Sequence, residues 1–175
     1  VHTRLKPDSL KLLLKHFPKA SPSLKTRLLD IYDLRQESMT PDLLHLYEEA
    51  VLSDHAPLRE VALTDLEYLA GFPPVWQAMD RLTGQTREDS VRECLSRLLI
   101  SRVGDVFPSQ QEAFLLKQLQ SQFPGVRSQA AAKLVVLEGS KQPFLTTLNK
   151  VLETHPKDNA LVARAVVGIG TYHTV

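Results

Sequence analysis

The sequence has little of several features that define other classes of protein. A single cysteine, Cys94, excludes an internal disulfide and a zinc cluster built from thiolates. The longest apolar runs fall far short of the roughly 18 residues that a membrane-spanning helix needs, so no membrane span is expected. The formal net charge is only +1. Such a small charge argues against nucleic acid as the partner, because DNA-binding proteins neutralise phosphates with an excess of basic side chains.

The sequence also lacks the short motifs that carry common catalytic chemistry. Its six histidines are isolated, with no two within one helical turn, so no metal site is predicted. Neither a phosphate-binding glycine loop nor a serine-nucleophile motif is present. Cys94 falls in a predicted helix where we expect nothing to activate it, and we interpret it as an inert, partly buried thiol. The prediction is a protein that is not an enzyme and needs no cofactor.

The compartment and the limits of the full protein stay open at this point. A chain without disulfides suits the cytoplasm, but an exported protein can also lack them. The chain starts at Val1, and no charged-then-apolar leader precedes the first predicted helix. We expect a soluble product of processing or a piece of a longer protein.

Proline and glycine separate the periodic segments, and no stretch shows the alternation of a strand. This pattern predicts an all-α protein with about ten helices. Ser21 and Thr40 each precede a proline and are predicted N-caps. Ser109 and Glu112 have the spacing of a capping box. The glycines predicted to end helices in the left-handed conformation are Gly71, Gly84, Gly104 and Gly139.

A repeat of about 34 residues is the strongest pattern in the sequence. The register residues, which occupy the same place in successive repeats, lie 34, 33, 35 and 35 positions apart and are Lys25, Arg59, Arg92, Arg127 and Val162. Apolar residues recur one position before each register residue and three and seven positions after it, which places them on one helix face. Stacked two-helix repeats within a single domain, 1–175, are therefore predicted. The repeats cover approximately 5–38, 40–71, 73–104, 107–139 and 141–171.

Three segments carry a resemblance to a known repeat family. Asp54–Leu69 resembles the second helix of a HEAT-type repeat, Phe123–Leu137 resembles it closely, and Ser90–Leu99 resembles it in part. The resemblance covers most of the chain and implies a right-handed α-solenoid of about five two-helix HEAT-like repeats. The sequence departs from the family in the aspartate that usually lies shortly before the valine–arginine pair. Only Asp54 and Asp89 lie near that position.

Three register arginines, Arg59, Arg92 and Arg127, fall in the first turn of their predicted helices. In one interpretation they form a structural ladder between repeats, bonding to loop carbonyls or to acidic side chains of the neighbouring repeat. In the other they bind phosphates or a carboxylate-rich peptide. We favour the structural ladder, because acidic residues such as Glu60 and Glu93 are interleaved with them.

The resemblance implies that the second helix of each repeat lines a concave binding face. We therefore predict a non-catalytic scaffold that binds a protein or peptide. The predicted contact residues are Glu60, Glu67, Arg97, Ile100, Arg102, Ala131 and Val135. Two alternatives stay open. One is a nucleic-acid-binding protein or a DNA-glycosylase-type enzyme, as some HEAT-like proteins are, and the other is a rigid spacer within a longer multidomain protein.

The last predicted helix carries a single charge over Ala160–Gly168. Terminal repeats of a solenoid normally have a polar outer face. We expect this helix to be covered by another repeat, by a second subunit through self-association, or by a further domain.

Overall fold

A computed structural model describes residues 7–32, 39–137 and 141–172. Within these ranges the regular secondary structure is helical and no strand occurs, so the predicted all-α class is confirmed. Ten α-helices are present in the described ranges: α1 (Pro7–His16), α2 (Pro22–Ile31), α3 (Pro41–Val51), α4 (Ala56–Tyr68), α5 (Pro73–Gln85), α6 (Asp89–Val106), α7 (Gln111–Gln118), α8 (Pro124–Val135), α9 (Lys141–Thr154) and α10 (Asn159–Tyr172). Short 3-10 turns cover Phe17–Lys19 and Pro108–Gln110.

Side-chain caps begin α2 and α3, as the sequence predicts. The Ser21 hydroxyl accepts a hydrogen bond from the Leu24 N–H at 3.4 Å. The Thr40 hydroxyl accepts from the Leu43 N–H at 3.2 Å. In both helices a proline follows the cap, where the missing N–H would have had no partner in the helix.

The predicted glycine C-caps are wrong at the three described positions. Gly84 and Gly104 lie inside α5 and α6, which continue past them, and neither they nor Gly71 adopt the left-handed conformation. The end of α5 is set instead by Thr86, whose extended backbone leaves the helix while its N–H still bonds to the Leu82 carbonyl at 2.9 Å. Gly139 lies outside the described residues.

The predicted capping box before α7 is also wrong. Ser109 belongs to the 3-10 turn that Pro108 begins, and the Gln110 N–H in that turn bonds to the Phe107 carbonyl at 3.0 Å. The α-helix starts only at Gln111, with no side-chain hydrogen bond at its N-cap. Because the 3-10 turn takes up the first residues, α7 begins later than the predicted capping box implies.

The chain divides into two compact units, unit 1 (Val1–Glu88) and unit 2 (Asp89–Val175). In unit 1 the main helix contacts join α1 to α3, α2 to α4, and α3 to both α4 and α5. In unit 2, α8 contacts α6, α7, α9 and α10. In each unit the main contacts are therefore between a helix and the next one or the next but one. The single domain over 1–175 and the five repeat boundaries stay predictions.

The predicted apolar columns form the core in α4, α6 and α8. Residues one position before the register residue are buried from α4 onwards: Leu58, Val91, Val126 and Leu161. Residues three and seven positions after it are fully buried in these three helices: Ala62, Leu66, Leu95, Leu99, Ala130 and Leu134. In α2 the prediction is wrong, because Leu24 is 49% exposed and Leu29 is buried in its place. The main helix contact of α2 is with α4, and Leu24 lies on a side of α2 that water reaches.

Candidate functional site

One face of α4 is exposed along its length. Glu60, Thr64, Glu67 and Tyr68 are spaced so that they share one side of the helix, and all four are exposed. Tyr68 is the extreme case, with 81% of its surface exposed. The opposite side of α4 carries the buried column and packs against α2 and α3. We call these four residues the α4 acidic face.

A partly buried polar pair joins α3 to α4. The Tyr47 hydroxyl, which has no exposed surface, donates a hydrogen bond to Asp65 Oδ2 at 2.9 Å. Burial raises the pKa of the Asp65 carboxyl above its usual value; the hydrogen bond from Tyr47 lowers this pKa, and the charge of Asp30 raises it. Burial likewise raises the pKa of the Tyr47 phenol, and the charge of Asp65 adds to the effect. The hydrogen bond between Tyr47 and Asp65 thus links α3 to α4 next to the α4 acidic face.

The predicted contact residues of unit 2 do not all reach the surface. Arg97 and Arg102 are exposed, Arg102 lies 3.6 Å from Asp105, and Val135 is half-buried. The exposure predicted for Ile100 and Ala131 is wrong, because both are 0% exposed.

The two buried residues follow from the helix faces on which they lie. Ile100 shares a buried stripe of α6 with Ser96 and Val103, which are spaced at one helical turn on either side. Ala131 lies one turn after Arg127, on a side of α8 that packing covers. Neither residue can contact a partner without local unfolding.

Polar side chains of α8 bond directly to the backbone of α6. Gln129 Nε2 donates to the Arg97 carbonyl at 3.2 Å, and Lys133 Nζ donates to the Ser101 carbonyl at 3.2 Å. Donors four residues apart on one helix thus meet acceptors four residues apart on the other. The acceptors are backbone carbonyls, which every residue has, so this contact cannot be predicted from the sequence.

Arg127 makes the most buried ionic contact among the described residues. Its Nε and Nη2 lie 2.8 and 2.6 Å from Asp158 Oδ2, and the two side chains are 3% and 4% exposed. Its Nη1 donates to the Ser121 and Gln122 carbonyls at 2.8 and 3.0 Å. Asp158 also accepts from the Leu161 N–H at 3.1 Å at the start of α10. Charge and hydrogen-bond donors are therefore matched in the interior.

Arg59 has a similar environment in unit 1. Its Nη1 donates to the Ser53 carbonyl at 2.8 Å, and its Nη2 lies 2.8 Å from Glu88 Oε2. Both acids, Glu88 and Asp158, lie four positions before the next register residue. Extending the repeat alignment upstream by four positions would have found them.

Arg92 differs from the other two register arginines. Its Nη1 bonds to Asp89 Oδ1 at 3.0 Å, one turn earlier in the same helix. Phe123 stands four positions before the next register residue, where Arg59 and Arg127 each find an acid. The same carboxylate oxygen of Asp89 accepts from Gln122 Nε2 at 3.4 Å.

An open cleft of about 420 Å³ lies over the buried pair in unit 2. It is lined by Pro124, Arg127, Thr154, His155, Pro156, Lys157, Asp158 and Asn159. Its two most deeply placed charges, Arg127 and Asp158, are bonded to each other. The cleft contains none of the predicted contact residues.

The described residues bear on metal binding, on membrane insertion and on the exposure of Cys94. Over the described ranges, no group of three or more histidine, cysteine, aspartate or glutamate side chains is placed to hold a metal ion. In the same ranges no helix combines the length and the apolar character needed to cross a membrane. Cys94 is exposed, so the partly buried position predicted for it is wrong.

Comparison with known proteins finds no match among protein-family models, curated proteins or solved structures. The likeness to HEAT repeats therefore rests on the residues that carry it, above all the apolar columns and the register arginines. Function has to be argued from the surfaces of this chain alone.

Proposed function

We propose that this chain is a non-catalytic protein-binding scaffold, built as an α-solenoid of HEAT-like repeats. Two observations support the architecture. Within each unit the main contacts join a helix to the next and to the next but one, as stacked helical hairpins require. The same three columns are buried in α4, α6 and α8 at the spacing of the repeat.

The observation that carries a binding role is the exposure of Tyr68 on a helix face that also carries two carboxylates. Tyrosine is enriched among the residues that dominate binding energy, because its ring offers a large contact area and its hydroxyl a hydrogen bond. Here 81% of its surface is open, and Glu60 and Glu67 lie on the same face. This combination favours a partner with an apolar side chain flanked by lysine or arginine.

The same face disfavours the nucleic-acid alternative for unit 1. Phosphate binding needs several uncommitted cations, whereas Glu60 and Glu67 present negative charge. Arg59, a cation of the same helix, is bonded to the Glu88 carboxylate. A rigid spacer, in turn, would require no exposed aromatic anchor. Duplex DNA should therefore show no salt-sensitive binding at low ionic strength, and binding of that kind would favour the alternative.

Selection from a random peptide library displayed on phage tests the proposal without a known partner. Peptides retained by the immobilised chain should be enriched in lysine and arginine next to an apolar residue. Their affinity should fall about tenfold or more for Tyr68→Ala, which is the loss expected on truncating a binding anchor. Leu12→Ala is the matched control, since Leu12 is a large apolar side chain that is 58% exposed on α1.

The outcomes separate clearly. Peptides that bind the wild type and Leu12→Ala but not Tyr68→Ala support the proposal. Weaker binding to a double variant, Glu60→Gln with Glu67→Gln, would show that these two carboxylates contribute to the affinity. Equal binding to all variants, or no enrichment over an empty support, rejects the α4 acidic face as a recognition surface.

A further inference from the structure

An apolar surface is left open on α10. Val162 and Val166 lie one turn apart and are 39% and 64% exposed, and Ala163 beside them is also exposed. These three residues form the α10 outer face. In α8 the residues equivalent to Val162 and Val166 are Arg127 and Ala131, which are 3% and 0% exposed. A face that packing covers in α8 is therefore uncovered in α10.

The orientation of this face follows from the contacts of α8. Arg127 bonds to Asp158, in the loop that leads into α10, so this side of α8 faces the following hairpin. Ala131 lies one turn further along the same side. By the repeat register, Val162 and Val166 point away from α8. By the repeat register, the α10 outer face is therefore equivalent to the side of α8 that packs against α10.

A complementary surface is open on α2. Leu24 and Ile31 are 49% and 72% exposed, and Arg27 between them is exposed as well. These three residues form the α2 outer face. The residues of α8 equivalent to Arg27 and Ile31 are Gln129 and Lys133, which both donate to carbonyls of the preceding second helix, α6. This side of the second helix of a repeat is therefore the side that packs on the second helix of the preceding repeat.

We propose that the α10 outer face of one molecule binds the α2 outer face of a second copy, head to tail. The contact would repeat between molecules the packing that joins α8 to α10 within unit 2. Leu24 and Ile31 would cover Val162 and Val166, and Arg27 would donate to a carbonyl of α10 as Gln129 does to Arg97. Both partners bring apolar side chains that water now contacts.

The residues at the position of the buried ion pair are also compatible with this pairing. Within unit 2 the register residue Arg127 needs Asp158, which lies four positions before the next register residue. At the proposed contact the register residue is Val162, and the residue four positions before Lys25 is Ser21. Neither is charged, so the contact leaves no ion unpaired at this place. A pairing of two α10 faces has no counterpart among the main helix contacts of either unit.

Two variants, each of which blocks one face, test the proposal. Val166→Asp disables the α10 outer face, and Ile31→Asp disables the α2 outer face. Because a head-to-tail contact uses different faces on the two partners, the wild type should form species larger than a dimer as its concentration rises. Each variant alone should stay monomeric. Their equimolar mixture should form a single species of twice the monomer mass, measured by multi-angle light scattering after size-exclusion chromatography.

Val136→Asp is the control, because Val136 is 78% exposed and belongs to neither face; it should associate like the wild type. Circular dichroism checks that each variant is folded, and Val166→Ser and Ile31→Ser replace any variant that is not. The proposal is overturned if the wild type is monomeric at every concentration. It is also overturned if Ile31→Asp alone dimerises, which would indicate pairing of two α10 faces, or if the mixture gives no heterodimer. Peptide binding at Tyr68 is independent of all these outcomes.

Discussion

The two buried-arginine contacts occupy the same place in the repeat but differ in their access to water. In unit 2 the side chains of Arg127 and Asp158 are 3% and 4% exposed, whereas in unit 1 those of Arg59 and Glu88 are 15% and 47% exposed. When one member of an ion pair is removed, the remaining charge is hydrated if it lies at the surface but not if it lies in the interior. Equivalent positions in a repeat can therefore contribute very different free energies.

The largest effect is expected for Arg127→Met. This change leaves the Asp158 carboxylate buried with the Leu161 N–H as its remaining donor among the contacts described above, and a buried charge without its partner costs about 3–5 kcal/mol. The free energy of unfolding, measured by urea titration at neutral pH, should fall by that amount.

A double variant, Arg127→Met with Asp158→Asn, provides the control. The neutral amide removes the buried charge and keeps an N-cap acceptor for α10. The double variant should therefore be more stable than Arg127→Met alone. If Arg127→Met unfolds at the wild-type urea concentration, the ion pair does not contribute to the stability of unit 2.

Asp65 differs from Asp158 and Glu88 because its carboxylate accepts a hydrogen bond from a neutral phenol, that of Tyr47, instead of pairing with an arginine. Its pKa in the folded state is raised by burial, so the folded protein binds its proton more tightly than the unfolded chain does. The stability that this proton contributes is present at low pH and is lost as the pH rises through the raised pKa. Asp65→Asn, which keeps an acceptor for Tyr47, should lack this dependence.

Urea unfolding between about pH 3 and pH 7 measures the difference between wild type and Asp65→Asn. The difference should favour the wild type most at the acid end and decline towards neutral pH. Glu67→Gln, which changes an exposed carboxylate on the same helix, should show no comparable trend. A difference that grows with pH would mean that the Asp65 carboxylate is stabilised, not penalised, by its surroundings.

The smallest effect is expected for Arg59→Met. Because Glu88 is half-exposed, loss of this pair should reduce the free energy of unfolding by about 1 kcal/mol or less. The reduction should shrink further at high salt, which screens surface charges. A loss as large as that of Arg127→Met would show that burial of the acid does not control the strength of these contacts.

Local signals explain most of what the sequence predicted correctly. The caps at Ser21 and Thr40 depend on a side chain and an N–H three residues away, so they can be predicted without tertiary structure. The apolar columns were predictable in α4, α6 and α8 because these helices have neighbours on more than one side. The same pattern failed at Leu24, which is 49% exposed.

Several of the errors have a tertiary origin. Ile100 and Ala131 were predicted to be exposed from their place in the repeat, but packing within unit 2 decides which flank of each helix is covered. The exposure of Tyr68 cannot be predicted from the sequence, because a tyrosine in a helical pattern is as easily buried as exposed. The bond between Tyr47 and Asp65 joins residues 18 positions apart, and nothing in the local sequence indicates it.

The guanidinium of Arg127 links three consecutive parts of unit 2. It bonds to the carbonyls that end the α7–α8 connection, it belongs to α8, and it bonds to the carboxylate that starts α10. If α10 detached, the Arg127 guanidinium would lose its carboxylate partner. Its hydrogen bonds to the connection before α8 would then be weakened. Local opening of this region should consequently be concerted, with amide protons of α8 and α10 exchanging with solvent as one cooperative unit.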